Sequence, residues 1–306
     1  ICEVFPSFVE VSTLEEFMWA RMCVCSRNFG LIVDGLRTSA LVPYADMLNH
    51  YRPRETKWAY DNDRGAFTIT TLQTIRGGAQ IYDSYGQKCN HRFLLNYGFA
   101  IEENVEQNGY CPNEIPVEIR LDPDEPLHAR KWIFWQLDDA PALRRVRVSV
   151  CDCDNEAPRT VLSLLRVVVA NDADMAAIEA GSKHVYRSAK DIRFPIAVRN
   201  EAAAMAALRV MAQAALARYP TTMEEDAHAL KTGDLPPFSN RRHALIQVYG
   251  EKVVWRHYLE LAETALRCLA APTDAVAAEA CEGRHKHIAD FCNNVVGQLR
   301  RQERFK

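Results

Sequence analysis

Long apolar runs are missing from this chain. No stretch approaches the roughly 18 uninterrupted apolar residues that mark a membrane-spanning helix, so none is expected. An excess of one charge is missing too: acids and bases nearly balance at a formal net charge of -3. That excludes the strongly basic footprint of a nucleic-acid binder. No C-x-x-C pair occurs among the 10 cysteines, and the two C-x-C pairs, Cys23/Cys25 and Cys151/Cys153, have no further Cys or His at zinc-finger spacing. Two ligands do not close a tetrahedral site. The expectation is therefore no metal, and the reduced thiols of an intracellular protein, cytoplasmic or nuclear with a plastid still open. Glycine is sparse as well, at 13 residues with none before Gly30. No secretory leader opens the chain, and Ile1 begins in mid-pattern, which reads as a piece of a longer protein.

Apolar residues make up 48% of the sequence, enough for a proper core. At about 100–200 residues per domain, the length predicts two domains. Ser12 with Glu15 three residues on is a capping-box signature. Leu14, Phe17, Met18 and Met22 follow at helical spacing, which predicts a helix over about 13–26 closed by Arg27-Asn28-Phe29-Gly30. Leu31 to Val33 before Asp34-Gly35, and Trp58 to Leu72 around the turn Asp61 to Gly65, read as strands with hairpin turns. Ile81 to Tyr85 and Pro116 to Leu121 read as strands, and Asn90 to Asn96 as a turn or two of helix. Arg145 to Val150 alternates and is either a strand or an extended link.

From about 126 the pattern turns helical. Helices are expected around Trp132 and Trp135, from Pro158 to Val169, from an Asn200 cap through Tyr219, after Thr221 and Thr222, over 240–249 and 251–271, and over roughly 274–302. The basic end at Arg300, Arg301, Arg304 and Lys306 reads as a solvated helix terminus, where cations suit the macrodipole. Pattern alone thus predicts an α+β part over 1–125 and an all-α part over 126–306.

Two segments carry the chemistry. The first is Leu41-Val-Pro-Tyr-Ala-Asp-Met-Leu-Asn-His50. The second is Ile81-Tyr-Asp-Ser-Tyr-Gly-Gln-Lys-Cys-Asn90, continuing to Leu95-Asn-Tyr-Gly-Phe99. In this order, separated by a hairpin and Gly77-Gly78, they resemble the C-terminal half of a SET domain, whose knot-like core contains an Asn-His and a Tyr-Gly strand. Pro220 to Leu230, Tyr249 to Lys252, and Phe194-Pro-Ile196 with Asn200-Glu201 resemble the helical substrate-binding domain that follows SET in the Rubisco large-subunit methyltransferase-like group.

The resemblance implies a protein-lysine N-methyltransferase that uses S-adenosylmethionine and acts as a monomer on a protein substrate, with no nucleic-acid or membrane partner. Its fold would be the C-terminal part of a β-rich SET domain followed by an all-α substrate-binding domain. It also implies site roles. Tyr85 stands where the family has its catalytic tyrosine. Arg27, Asn49, His50 and Phe99 stand at cofactor-binding positions. Phe29, Ala45 and Tyr97 stand in the substrate pocket, with Asp46 in support. Methyl transfer to an amine needs a neutral nitrogen held in line with the donor and acceptors around it, but no metal.

Within this group the actin-histidine branch carries an Asn two positions after the cofactor arginine and a Trp at the position of Ala45. Here Phe29 and Ala45 fill those positions, which favours lysine, because an imidazole needs a polar partner for its second nitrogen. The N-terminal SET segment with its Gly-x-Gly-like stretch is not found in the sequence. A histidine methyltransferase and a non-catalytic protein-binding module with a degenerate SET fold are the alternative readings.

Overall fold

The computed structural model describes residues 3–135, 142–182 and 188–304. They fall into two compact units. One comprises the residues up to Pro112 together with Pro236–Gln247, and the other Asn113–Leu235 together with Val248 onward.

In the first unit, α1 (Phe8–Val11) precedes α2 (Leu14–Arg27), which starts one residue later than the Ser12/Glu15 pairing predicts. Thr13 is the cap: its hydroxyl accepts from Glu16 N, and the Glu16 carboxylate accepts from Thr13 N, a reciprocal box that satisfies two orphan donors. The apolar spacing is helical as expected, yet α2 buries none of its residues. The chain turns directly into β1 (Asn28–Val33), which pairs antiparallel with β2 (Leu36–Leu41) across Asp34-Gly35, both in the left-handed region.

A 3₁₀ turn over Ala45–Met47 leads into β3 (Asn49–His50). The hairpin β4 (Thr56–Asp61) and β5 (Ala66–Thr71) follows where a hairpin is expected, with Thr56 opposite Thr71 and Gly65 at φ 58° in its turn. Then β6 (Tyr82–Asp83) lies parallel to β3, setting Asn49 opposite Tyr82 and His50 opposite Asp83. Finally α3 (Asn90–Tyr97) ends on Gly98, whose φ of 81° gives the left-handed conformation of a helix stop.

The second unit opens with β7 (Glu114–Arg120), which pairs along its whole length with β8 (Leu143–Ser149) beyond α4 (His128–Trp135). This pairing ties β7 to the helical unit. Ile115, Val117 and Ile119 point inward from β7 while their neighbours face out, and they meet Val148 and the apolar face of α5 (Glu156–Val168) in one core.

Next comes α6 (Asp172–Ser182), which the sequence pattern does not mark. It is followed by α7 (Val198–Ala217), α8 (Met223–Lys231) and the long α9 (Asn240–Ala270), where the sequence suggests two helices. Asn200 does not cap α7, because the helix already begins at Val198, with Ala197 at its cap position. Asn200 is instead buried in its first turn, where Nδ2 donates to Arg166 O at 3.0 Å and Asp174 Oδ2 at 3.2 Å. Thr222, with Glu225, caps α8 as the spacing predicts.

The segment expected to be one helix over 274–302 is broken. It comprises α10 (Asp274–Cys281), α11 (Lys286–Phe291), a π turn over Cys292–Val296 and α12 (Gly297–Arg304). Gly283 sits at φ 67°, which the right-handed helix excludes. Arg300 is not a solvated terminus either. It is 5% exposed, donating to Ala271 O at 3.1 Å and Thr273 O at 2.8 Å and paired with Asp274. Lys306 and Cys2 lie outside the described residues.

Two buried ion pairs hold this unit's helices in register. The Arg166 guanidinium meets both Glu201 carboxylate oxygens, at 2.7 and 2.9 Å, and its Nη1 donates to Ile192 O and Arg193 O. Lys252 Nζ meets Asp226 Oδ2 at 2.5 Å and the Thr221 carbonyl at 2.6 Å. Charges this deep are tolerated because the fork and the ammonium are both hydrogen-bonded by further acceptors. No helix among the described residues is long and apolar enough to cross a membrane.

Candidate active site

Two adjoining depressions in the first unit collect most of the residues to which the resemblance gives roles. The wider, about 350 Å³, is lined by Ser26, Arg27, Asp46, Met47, Asn49, Tyr85, Tyr97 and Phe99. The narrower, about 190 Å³, shares Arg27, Tyr85 and Tyr97 with it and adds Phe29, Ala45, Leu48, Trp58 and Lys88 among its walls.

Local structure explains the convergence. Arg27 is the last residue of α2, so its side chain leaves the helix where the backbone turns into β1. Its Nη1 donates to Asp46 O at 2.9 Å and lies 3.4 Å from Asp46 Oδ2. Both contacts use one nitrogen, so among the described residues Nη2 and Nε remain available to a second carboxylate. Asp46 thus lies beside Arg27 in the wall of both depressions. Asn49 sits on β3 with its side chain exposed at the rim.

His50, the next residue, faces the opposite way and does not line either depression. It lies beneath the wider one, with its ring 5.0 Å from Phe93 and 6.1 Å from Phe99. Its Nδ1 accepts from the backbone N–H of Tyr85 at 3.0 Å, which fixes the proton on Nε2, a buried atom with no partner among the described residues. Burial, assisted by the charges of Arg52 and Lys88, depresses the imidazole to about 4, so it is neutral at physiological pH.

Tyr85 is thus held at both ends: the backbone by His50, and the hydroxyl by donation to Leu48 O at 2.7 Å. Its ring stacks on Tyr97 with centroids 4.7 Å apart. Burial first, then the nearby Asp83 carboxylate, raises the phenol pKa, so the hydroxyl stays protonated and its oxygen keeps a lone pair for an incoming donor. Phe93, fully buried in α3, packs against His50, Tyr97 and Phe99 and supports the whole aromatic set.

The narrower depression has an apolar wall. Phe29 on β1 packs edge-on against Trp58 at 5.3 Å and Phe67 at 5.0 Å, both from the β4–β5 hairpin. Ala45, buried in the 3₁₀ turn, adds only a methyl group. Two residues here escaped sequence reasoning. Lys88 donates to the Tyr85 carbonyl, lies 5.9 Å from the Tyr97 ring centroid, and has its pKa lowered by burial and by Arg92. Leu48 contributes its backbone carbonyl, a contact that side-chain identity cannot reveal. Lys88 stands within the Tyr-Gly segment itself, so its proximity to Tyr85 was the available signal. Trp58 was visible only as an alternating strand residue.

Residues 122–254 match the family model described as Rubisco LSMT substrate-binding. Actin-histidine N-methyltransferase from Gallus gallus is 26% identical over 281 residues, covering 89% of this chain and 43% of that protein. The Arabidopsis thaliana chloroplastic [fructose-bisphosphate aldolase]-lysine N-methyltransferase is 27% identical over 237 residues, covering 74% of this chain and 46% of that protein. The solved SET domain of LSMT bound to lysine and AdoHcy superposes with a TM-score of 0.64 at 22% identity, over 85% of this chain and 57% of that one. Rubisco LSMT bound to AdoMet gives a TM-score of 0.63.

The fold is therefore that of a SET domain joined to a helical domain, and the stretch that matches the Rubisco LSMT substrate-binding family lies in the helical part. The chain spans less than half the length of the curated relatives it matches.

Proposed function

We propose that the protein containing this chain is an S-adenosylmethionine-dependent protein methyltransferase acting on a lysine side chain. The observation that carries this reading is the convergence of Arg27, Asn49, Tyr85, Tyr97 and Phe99 on one depression, with a greasy channel at its side. The residues present fit the cofactor. Arg27 offers uncommitted guanidinium nitrogens to a carboxylate, Asn49 offers an amide, and Tyr97 and Phe99 offer ring faces to a purine. The volume lies at the small end of ordinary ligand sites. When bound, S-adenosylmethionine supplies an electrophilic methyl group on a sulfonium.

This chain's own residues do the remaining work. The Tyr85 oxygen accepts a hydrogen bond from the substrate amine and so orients its lone pair, while the Leu48 carbonyl fixes the hydroxyl's direction. Phe29 and Ala45 leave an aliphatic passage and no partner for a second ring nitrogen, which supports lysine. Neutral His50 holds the backbone of Tyr85 in place without adding charge. Residues 1–125 are assigned to the SET part, and 126–306 to recognition of the protein substrate.

The similarity to actin-histidine N-methyltransferases supports a second reading, a histidine acceptor. Radiolabelled methyl transfer, measured on the full-length protein with matched lysine and histidine peptides, separates the two. Incorporation into lysine is expected, and Tyr85→Phe should lower it by about 100-fold. Incorporation into histidine alone overturns the lysine assignment. Calorimetry with S-adenosylmethionine tests the enzyme reading itself: no binding by the full-length protein leaves a protein-binding module as the better account.

A further inference from the structure

Three cysteines that no sequence motif singles out meet in the helical unit. Cys268 lies near the end of α9, Cys281 ends α10, and Cys292 opens the π turn. Their sulfurs all lie within 4.8 Å of one another, with the Cys268–Cys281 pair at 3.6 Å. All three belong to the hydrophobic core and are 2%, 7% and 2% exposed.

The meeting depends on the break in the C-terminal helix. In one continuous helix Cys281 and Cys292 would stand about 16 Å apart along the axis, at 1.5 Å per residue. The reversal at Gly283, in the left-handed region, folds α11 back, and the π turn places Cys292 where it faces the other two. Single π turns inside helices recur at functional sites.

The size and chemistry of the cluster select a ligand. A trigonal ion with metal–sulfur bonds of about 2.3 Å holds its three sulfurs about 4.0 Å apart, the scale found here. No histidine, carboxylate or fourth cysteine completes a tetrahedron among the described residues. Three thiolates alone leave zinc short of its preferred four ligands. Soft thiolates and three-coordination suit monovalent copper.

Thiolates, not thiols, ligate metals, so a cation bound here displaces the thiol protons.

We propose that Cys268, Cys281 and Cys292 form a buried trigonal thiolate site for monovalent copper. Binding forms three copper–sulfur bonds, releases the thiol protons to solvent and changes no oxidation state.

The test is an anaerobic titration of the reduced full-length protein with Cu(I) against a bicinchoninate competitor, followed by X-ray absorption. Tight binding of one copper per chain is expected, with three sulfurs at about 2.3 Å. Replacing Cys281→Ala and Cys292→Ala together should weaken binding by about 100-fold or more, whereas Cys23→Ser with Cys25→Ser should leave it unchanged. Failure of the unmutated protein to withdraw copper from the competitor overturns the proposal, and that arm does not depend on any variant folding. Equal binding by the Cys281/Cys292 variant overturns it too, as does displacement of the copper by equimolar zinc.

Discussion

Helices α2 and α5 are nearly the same length, 14 and 13 residues, yet one buries nothing and the other packs Val161, Leu162, Leu164, Leu165 and Val167 into a core. The same contrast separates the units that hold them. The helical unit has one continuous apolar core running from Ile115 to Val296. The unit with the candidate site leaves Leu14, Met18, Trp19 and Tyr44 between 59% and 88% exposed. Its geometry is set instead by short ladders, by rings stacked on Phe93, and by single hydrogen bonds such as Tyr85 to Leu48. A deep core maintains a shape through many weak contacts. A site built on a few directed ones is more sensitive to each.

Four substitutions sharpen or break this contrast. The largest loss is expected for Glu201→Ala, which strands the Arg166 guanidinium in the core. Urea unfolding of the helical unit should register about 3–5 kcal/mol. A cost below 1 kcal/mol would mean that the pair is not sealed from water. Phe93→Ala in the other unit removes a fully buried ring and should cost about 3 kcal/mol. It should also abolish S-adenosylmethionine binding in calorimetry, because His50 and Phe99 lose their support.

The third concerns pH. Burial first, then His285 and His287, depresses His257 to about 4, below its unfolded value near 6.5. The folded state therefore binds fewer protons than the unfolded one. The associated stability is present above about pH 6.5 and is lost as pH falls toward 4. His257→Leu should flatten the decline in melting temperature over that window, and an unchanged slope would place the pH sensitivity elsewhere. The smallest effect, within about 0.5 kcal/mol, is expected for Trp19→Ser on the exposed face of α2. A larger cost in the full-length protein would show that this face is covered there.

Much of the architecture was legible because its signals are local. Thr222 with Glu225, the alternation of β7, the turn at Asp61 to Gly65 and the stop at Gly98 each act through neighbours in sequence. The candidate site was legible for a different reason: Asn49 and Tyr85 belong to two segments whose order is distinctive, and β3 and β6 do bring those segments side by side. What remained hidden needed three dimensions. Nothing in the pattern around Asn200 tells that it bonds Arg166 and Asp174 rather than capping a helix. The broken C-terminal helix was missed because a lone Gly283 in an alanine-rich stretch weighs little against periodicity. His50 looked like a lining residue, whereas the two-residue alternation of a strand turns it away from Asn49.

The parallel ladder of β3 and β6 also separates the length of the chain from the position of the site. Since Asn49 and His50 are registered directly against Tyr82 and Asp83, the intervening hairpin can grow at its tip without displacing Tyr85. Only strands β4 and β5 must stay, because Trp58 and Phe67 back the Phe29 wall. Doubling the length of the loop at Asn62–Gly65 would cost only about 0.6 kcal/mol in closure entropy. That tip is the natural port for a reporter or an affinity handle that reads the site without touching it.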